Sequence, residues 1–317
     1  MIRVTDLTKY YQDFCAVDHI SFEINAGEIV GLLGPNGAGK STTLRMLTGY
    51  LAPSSGEITV KGYSIHSNPL KIKQSLGYLP ESSPLYYDML TYDYLMFSAK
   101  IKGLDKASAK KRIAQLCDIC ELNAVMHKPI GALSKGYKQR VGMAHAMMNN
   151  PDVLILDEPT SGLDPNQIIE IRDIIRRIGR EKTIILSTHI LSEAEAVCDR
   201  VIIINHGQIA ADDSVENLKI QALNSKVIHV ALTGIAEPRA AEIFRNVPGL
   251  DTISFATDED KTLFARLKLN SAEDQRPVVY DLIRNSGAGL LEFRQEVKSL
   301  ENIFIELTRG ENNGANL

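Results

Sequence analysis

The sequence predicts an α/β protein in two domains, a larger one built on buried strands and a smaller α+β domain after it. Three observations predict this. A glycine-rich loop at 34–41 lies between a buried strand and a helix, and apolar runs of strand length, such as Val153–Leu156, alternate with helical stretches. The composition then shifts near Asp212–Ser214, where a second pattern of strands begins. We therefore predict one domain at 1–215 and another at 216–317.

Length and composition argue against several classes of protein. The chain has 317 residues, 44% of them hydrophobic and 23% charged, and its 35 basic and 39 acidic residues give a net charge of −4. Because there is no basic excess, nucleic acid is not an expected partner. No apolar run approaches the ~20 residues of a membrane-spanning helix. Met1–Val4 leads directly into a strand pattern, so we expect no signal peptide.

The four cysteines are scattered and do not resemble a disulfide framework, so a reducing cytosol is the expected compartment. Cys117 and Cys120 form a CxxC pair, which can indicate metal or redox chemistry. Because the chain has no second pair of ligands, we favour two cysteines on one turn of an amphipathic helix.

Residues 1–90 are predicted to form mainly strands separated by turns. Glu28–Leu33 is expected to be a buried strand that feeds the glycine-rich loop, and the helix after the loop is expected at Ser41–Thr48, with Gly49 ending it. The other strands are expected at Ile2–Leu7, Ala16–Ile24 and Glu57–Val60.

Residues 91–148 predict a helical insert, because Ser and Thr stand where helix caps are needed. Three helices are expected: one capped by Thr91 and running through Lys100, one at 106–120, and one capped by Ser134 and running to Met148.

Residues 151–211 return to alternating strands and helices. Asp164 and Pro165 open a helix with a capping residue and a first-turn proline, and Gly179 closes it. The strands are expected at Val153–Leu156, Thr183–Ser187 and Val201–Asn205.

The second domain follows a short helical link and has the order β-α-β-β-α-β, which resembles a ferredoxin-like unit. Its strands are expected at Val227–Leu232, Thr252–Thr257, Thr262–Lys268 and Gly289–Val297, and its helices at Arg239–Phe244, 273–285 and Leu300–Thr308.

The glycine-rich loop has the pattern Gly-x4-Gly-Lys-Ser/Thr between strand and helix. Its glycines let backbone N–H groups turn toward a phosphate, and the helix behind it adds the positive end of its dipole. Lys40 supplies a charge for the outer phosphates, Ser41 a hydroxyl for Mg²⁺, and Thr42 a donor to phosphate. The alternative, a glycine-rich turn that happens to carry a lysine, fits this context less well. The loop residues are Gly34, Pro35, Asn36, Gly37, Ala38, Gly39, Lys40 and Ser41.

Three polar residues follow buried strands. Asp157 and Glu158 come after Val153–Leu156, where two carboxylates favour a nearby cation such as Mg²⁺. Asp157 fits as the holder of that ion and Glu158 as the base for an attacking water. His189 follows Thr183–Ser187 and can hydrogen-bond a terminal phosphate, because such strand ends open onto one crevice. The alternative is a solvated strand end and a structural histidine.

The segment Leu133–Tyr137, Leu-Ser-Lys-Gly-Tyr, resembles the signature loop of ATP-binding cassette proteins, usually Leu-Ser-Gly-Gly-Gln. Lys135 and Tyr137 depart from that pattern. Ser134 retains a hydroxyl, Gly136 permits close backbone approach, and the N-terminus of the following helix favours anions. Taken alone, the segment is only a capped helix with a basic first turn.

The order of the motifs is more specific than any one of them. The loop at 34–41 is followed by the signature at 133–137, Leu-Asp-Glu-Pro-Thr at 156–160, Ser-Gly-Leu-Asp at 161–164, and His189. This series is similar to the ATP-binding cassette family over about residues 1–215. The resemblance implies a P-loop NTPase core with an antiparallel β subdomain and a helical signature subdomain, and ATP hydrolysis with Mg²⁺ as cofactor.

The resemblance also assigns residues. Tyr11 resembles the aromatic that stacks on adenine, with Tyr10 as the rival. Glu81 stands where most members have Gln in a segment that senses Mg²⁺ and meets a membrane subunit, so it joins Ser41 and Asp157 as a metal residue. In this family one ATP contacts the cradle of one copy and the signature of the other. Ser134, Gly136 and Asp164 would therefore act across a homodimer.

Two features predict which branch of the family this chain resembles, namely its single cassette and its C-terminal unit. Its end, Ser299–Thr308, resembles the tail of bacterial ABC-2 type exporter ATPases, and Leu133–Tyr137 and Asp164–Gln167 resemble the gliding-motility exporter subunit. This implies a separate ABC-2 type permease and a peripheral position on the cytoplasmic face of the inner membrane. The alternatives are a cassette ATPase acting on DNA or the ribosome, and a module that binds ATP without turnover.

Overall fold

The computed structural model describes residues 1–259, 261–271, 273–297, 301–302 and 304, and the chain divides into two compact units, Met1–Val215 and Glu216–Leu317. Most of the helix expected at Leu300–Thr308, and of the tail segment Ser299–Thr308, lies outside the described residues. Within the described ranges, every helix is too short or too polar to cross a lipid bilayer.

A six-stranded sheet forms the centre of the first unit, in the order β10-β9-β3-β8-β7-β6. All neighbours are parallel except β9 and β10. Asp157 pairs with Ser187, and Thr188 pairs with Leu33, so the ends of three central strands meet at one edge. The strands are β3 Ile29–Leu33, β6 Leu76–Leu79, β7 Val153–Asp157, β8 Thr183–Thr188, β9 Arg200–Asn205 and β10 Gln208–Ser214.

An antiparallel sheet in the order β2-β1-β4-β5 covers part of this core. A buried apolar cluster includes Val4 and Ile58 of this sheet, Val30 and Ile155 of the central one, and Leu44 from the first helix. The strands are β1 Ile2–Tyr11, β2 Phe14–Ile24, β4 Ser55–Val60 and β5 Tyr63–Ser64. The first two are longer than the sequence predicts and end at a tight turn.

Seven helices of the first unit are α1 Lys40–Leu47, α2 Pro69–Ser75, α3 Thr91–Ile101, α4 Lys106–Cys120, α5 Lys135–Ala146, α6 Pro165–Gly179 and α7 Leu191–Val197. The predicted caps Ser134 and Asp164 are confirmed, because their side chains accept from the backbone N–H groups of Tyr137 and Gln167. The cap predicted at Thr91 is wrong. Leu90 holds the cap position, and the Thr91 hydroxyl donates to the Lys128 carbonyl 3.1 Å away.

The second unit is one antiparallel sheet with helices on one face. From its edge strand β14 the sheet runs β14-β11-β13-β12, which is the ferredoxin-like order, and α9 and α10 contribute Phe244 and Ile283 to its core. The helix α8 Val215–Asn224 leads into β11 Ser225–Thr233, α9 Glu237–Phe244, β12 Leu250–Thr257, β13 Leu263–Asn270, α10 Arg276–Ser286 and β14 Gly289–Val297.

The CxxC pair lies on α4, where Cys117 and Cys120 are both buried free thiols. The Cys117 thiol points to the sulfur of Met126, 3.3 Å away. Burial raises the pKa of Cys120 to about 12, which keeps it a protonated thiol at neutral pH.

Candidate active site

The glycine-rich loop wraps around the amino end of α1. Gly39 has a φ of 108°, and a Cβ there would lie 2.5 Å from the carbonyl oxygen of Ala16. A Cβ at Gly34 would lie 2.2 Å from the carbonyl oxygen of Ile204. Larger residues would therefore collide with backbone at both positions, so glycine is needed there for the tight path of the loop.

Lys40 lies inside this loop with 6% of its surface exposed. Its ammonium donates to the carbonyl oxygens of Gly34 at 2.7 Å and Pro35 at 3.2 Å, and lies 3.6 Å from a Glu158 oxygen. Burial lowers the pKa of Lys40, while the charges of Glu158, Asp157 and Glu81 act in the opposite direction. A cation at the centre of a ring of backbone groups is suited to bind an anionic phosphate.

Asp157 ends β7 with only 2% of its surface exposed. One of its carboxylate oxygens accepts from the hydroxyls of Ser41 at 3.0 Å and Ser187 at 2.6 Å. The other accepts from the Tyr78 hydroxyl at 3.5 Å, and burial together with the Asp157 charge raises the pKa of Tyr78 to about 12. The structure therefore brings the predicted pair Ser41 and Asp157 into contact.

The donor set here suits Mg²⁺. Ser41 and Asp157 present hydroxyl and carboxylate oxygens, the hard ligands that Mg²⁺ prefers, and Mg²⁺ usually completes its shell with phosphate oxygens and water. Within the described ranges, no cluster of three or more His, Cys, Asp or Glu side chains could hold a metal by itself. Ser41 and Asp157 therefore fit Mg²⁺, which would take its remaining ligands from phosphate oxygens and water.

Glu158 connects the other charged groups. One oxygen faces Lys40, and the other lies 2.9 Å from Nδ1 of His189. The Glu158 backbone has a φ of 48°, an uncommon value for a side chain of this size, and its N–H donates to the Ser187 hydroxyl at 2.9 Å. Sequence reasoning placed Glu158 and His189 in one crevice, and the structure puts them in direct contact.

A cavity of about 440 Å³ surrounds these groups. It contains two aromatic rings, Tyr11 and Phe14, at the end of the β1–β2 hairpin, whereas Tyr10 does not line it. Sequence reasoning missed Phe14, although its place just after the turn at 12–13 could have indicated it. The cavity is lined by Tyr11, Phe14, Ala16, Asn36, Gly37, Ala38, Gly39, Lys40, Ser41, Thr42, Glu81, Glu158, Ser161 and His189.

The signature residues lie elsewhere on the chain. Ser134, Gly136 and Asp164 line a separate cavity of about 430 Å³, and none of them lines the cavity around Lys40. A Cβ at Gly136 would lie 2.9 Å from the Gln167 side chain, so the backbone is tightly packed there. The structure therefore places Ser134, Gly136 and Asp164 in a cavity apart from the one around Lys40.

Arg140 holds the signature helix in place, a role that sequence reasoning missed. Its guanidinium is buried and donates to Glu121 at 2.9 Å and to Glu170. These bonds tie α5 to the end of α4 and to α6. The ammonium of Lys135, which departs from the usual signature, lies against Gly162 of the loop before α6.

Comparisons with known proteins bear on this arrangement. The profile of the family described as ABC transporter matches residues 17–161. The chain is 34% identical to the uncharacterized ABC transporter ATP-binding protein YxlF of Bacillus subtilis (strain 168), over 97% of this chain and 99% of YxlF. It is also 34% identical to the bacitracin transport ATP-binding protein BcrA of Bacillus licheniformis, over 98% of each. A solved ATP-binding subunit of an ABC transporter is 32% identical over 70% of this chain and 92% of its own, with a TM-score of 0.62.

Proposed function

This chain belongs to the ATP-binding cassette transporter family as an ATP-binding and ATP-hydrolysing subunit, and we propose that it works as a dimer that energises an ABC-2 type export permease. The observation that carries the nucleotide site is the contact of Lys40, Glu158 and His189 in one cavity with the glycine-rich loop.

We assign nucleotide binding to the loop and its lysine. The β- and γ-phosphates replace Glu158 and the loop carbonyls as partners of Lys40, and backbone N–H groups of the loop and of the first turn of α1 face them. Ser41 and Asp157 would hold Mg²⁺, with Glu81 near enough to influence Lys40. When bound, Mg²⁺ neutralises charge on the phosphate oxygens.

We assign hydrolysis to Glu158 and His189. Once the nucleotide takes over Lys40, the Glu158 carboxylate is left free to accept the proton of a water whose oxygen attacks the γ-phosphorus. The bond from that phosphorus to the β–γ bridging oxygen breaks, and ADP leaves. His189 remains hydrogen-bonded to Glu158 and senses the terminal phosphate. A positioned general base typically raises the reaction rate by about 10²–10⁴-fold.

Dimerisation is supported by the separation of the two cavities. The cavity with Ser134, Gly136 and Asp164 offers a helix N-terminus and a hydroxyl for a second face of the nucleotide, yet it does not join the Lys40 cavity in one chain. Two copies in opposite orientation complete both sites. Binding then favours the closed pair, and hydrolysis releases it.

The export partner is supported by the relatives. BcrA is named for bacitracin transport, and it aligns with nearly the whole of this chain, including the C-terminal unit. We therefore place this subunit on the cytoplasmic face of the inner membrane, held there by its permease. No nucleic-acid role is proposed, because the chain is acidic and these relatives carry transport names.

The test is co-expression of this chain with an ABC-2 type membrane protein encoded by a neighbouring gene. We expect the two to co-purify from detergent, and the ATPase rate of the complex to differ from that of this chain alone. Purification of this chain free of the membrane protein, with an ATPase rate that the membrane protein does not change, would contradict the proposed partner.

Replacing Tyr11 by alanine is expected to weaken ATP binding about 5- to 150-fold, because stacking of a base on an aromatic ring is worth about 1–3 kcal/mol. Titration calorimetry with ATP and inactive Glu158→Gln protein measures the change. Tyr10→Ala is the matched control, since Tyr10 is equally aromatic and lies outside the cavity. A larger loss in Tyr10→Ala than in Tyr11→Ala would reverse the assignment, and a large loss only in Phe14→Ala would move the platform to Phe14.

A further inference from the structure

Glu193 is a buried acid that the proposed chemistry does not use. It lies in the first turn of α7 and is only 6% exposed. A buried carboxylate is unfavourable unless hydrogen bonds or a cation compensate it. Within the part of the chain that the structure describes, no lysine or arginine pairs with it, so its partners must be neutral donors.

Those donors are two threonine hydroxyls, and both give their hydrogen to the same oxygen of Glu193. Thr160 donates at 2.6 Å and Thr188 at 2.8 Å. Both threonines are buried as well, with 5% and 0% of their surfaces exposed. The Thr188 hydroxyl also accepts from the backbone N–H of Ile190 at 3.0 Å.

The two threonines lie next to the proposed catalytic residues in the sequence. Thr160 lies two residues after Glu158, and Thr188 lies immediately before His189. The backbone around His189 is thus held on both sides, through Thr188 and through Ile190. Glu193 therefore joins the loop that carries the base to the loop that carries the histidine.

A second link acts on the other side of the same pair. The Ser187 hydroxyl accepts from the Glu158 N–H and donates to Asp157. Glu158 sits between these links in a left-handed backbone conformation, which persists only where surrounding structure holds it. Removal of either link should let the Glu158 carboxylate move relative to His189.

We propose that Glu193 is a positioning residue for ATP hydrolysis: its carboxylate, clamped by Thr160 and Thr188, sets the geometry of the Glu158–His189 pair. It acts through these residues and does not touch the nucleotide. This inference rests on the proposed roles of Glu158 and His189.

The experiment compares Glu193→Ala with Glu193→Gln. Alanine removes both bonds, and we expect kcat to fall by up to about a hundredfold, because a 1 Å displacement of a reacting group has an effect of that size. The KM for ATP should stay near the wild-type value, because the loop and Lys40 are untouched. Glutamine keeps an oxygen that can accept from both hydroxyls, so it should restore most of kcat.

Further variants separate positioning from folding. Thr188→Val is close in shape and removes two bonds, the one to Glu193 and the one from the Ile190 N–H, so it should lower kcat with little change in the temperature of thermal unfolding. Glu181→Ala removes an exposed carboxylate just before β8 and should leave kcat unchanged.

In a Glu158→Gln background, Glu193→Ala should cause no further fall in single-turnover rate, because the group it positions is already gone.

The outcomes are distinguishable from those of the proposed function. If Glu158→Gln abolishes turnover but Glu193→Ala and Thr188→Val keep the wild-type kcat, the roles of Glu158 and His189 stand and the positioning role of Glu193 is overturned. It is also overturned if Glu193→Gln loses as much activity as Glu193→Ala, or if Glu193→Ala lowers the rate as strongly without Glu158 as with it.

Discussion

Replacing Glu158 by glutamine is expected to lower the rate of ATP hydrolysis by about 10²–10⁴-fold while leaving ATP bound. The amide has the same shape as the carboxylate but cannot take a proton from water. It also removes a negative charge 3.6 Å from Lys40, so affinity for the anionic nucleotide should be unchanged or higher. Phosphate release measures turnover, and titration calorimetry measures binding.

Glu181→Gln is the control for this change, because Glu181 is an exposed carboxylate in the turn after α6. It should leave both turnover and binding at the wild-type level. Turnover that survives in Glu158→Gln would remove Glu158 as the base. Lost turnover together with lost ATP binding would point instead to damage of the phosphate loop.

Replacing Lys40 by alanine is expected to cause a large loss of ATP binding. Each hydrogen bond to a charged group is worth about 1.5–3 kcal/mol, so the loss of this ammonium should weaken binding by at least about tenfold to a hundredfold. The change also removes the partner of Glu158 and the donor that closes the loop on the carbonyls of Gly34 and Pro35. The temperature at which the ligand-free protein unfolds should therefore fall as well.

Lys61→Ala is the matched control, because Lys61 is an exposed lysine paired with Asp152 and lies outside the Lys40 cavity. Surface pairs of this kind contribute about 0–1 kcal/mol, so ATP affinity should not change. An ATP affinity in Lys40→Ala equal to that of the wild type would contradict the assignment of the phosphate cradle.

Local patterns predicted most of the cassette. The family and the P-loop fold are confirmed. They could be predicted because their motifs are short runs of residues that act on their own neighbourhood. The loop at 34–41 shapes its own backbone, and Ser134 and Asp164 cap helices within three residues of themselves. The order of strands and helices in the second unit is likewise visible in the sequence, down to the limits of β14.

Contacts between distant residues could not be predicted. Thr91 has the right chemistry for a cap, but its hydroxyl is taken by Lys128, 37 residues away. The links of Arg140 to Glu121 and Glu170 and of Glu193 to Thr160 depend on how helices pack, which no local pattern encodes. Short elements such as α2 and β6 were also missed, because seven or four residues carry too little periodicity.

Local patterns likewise predicted which residues form the site, whereas the contacts between those residues could not be predicted. Lys40, Ser41, Asp157, Glu158 and His189 were predicted to share a crevice, and the structure adds which atoms meet. The sequence could not show which of Tyr10 and Tyr11 lines the cavity. Side chains alternate between the two faces of a strand, but the sequence does not indicate which face lies toward the glycine-rich loop. Phe14 was missed because the strand was expected to begin only at Ala16.

The measurement that tests the account most directly is the mass of Glu158→Gln in solution, by sedimentation, with saturating Mg·ATP and with none. A nucleotide shared between the Lys40 cavity of one copy and the Ser134 cavity of another predicts a monomer without nucleotide and a dimer with Mg·ATP. The dimer should be absent when Lys40→Ala is combined with Glu158→Gln. A Glu158→Gln protein that binds Mg·ATP but stays monomeric, both alone and beside its permease, would contradict the shared site.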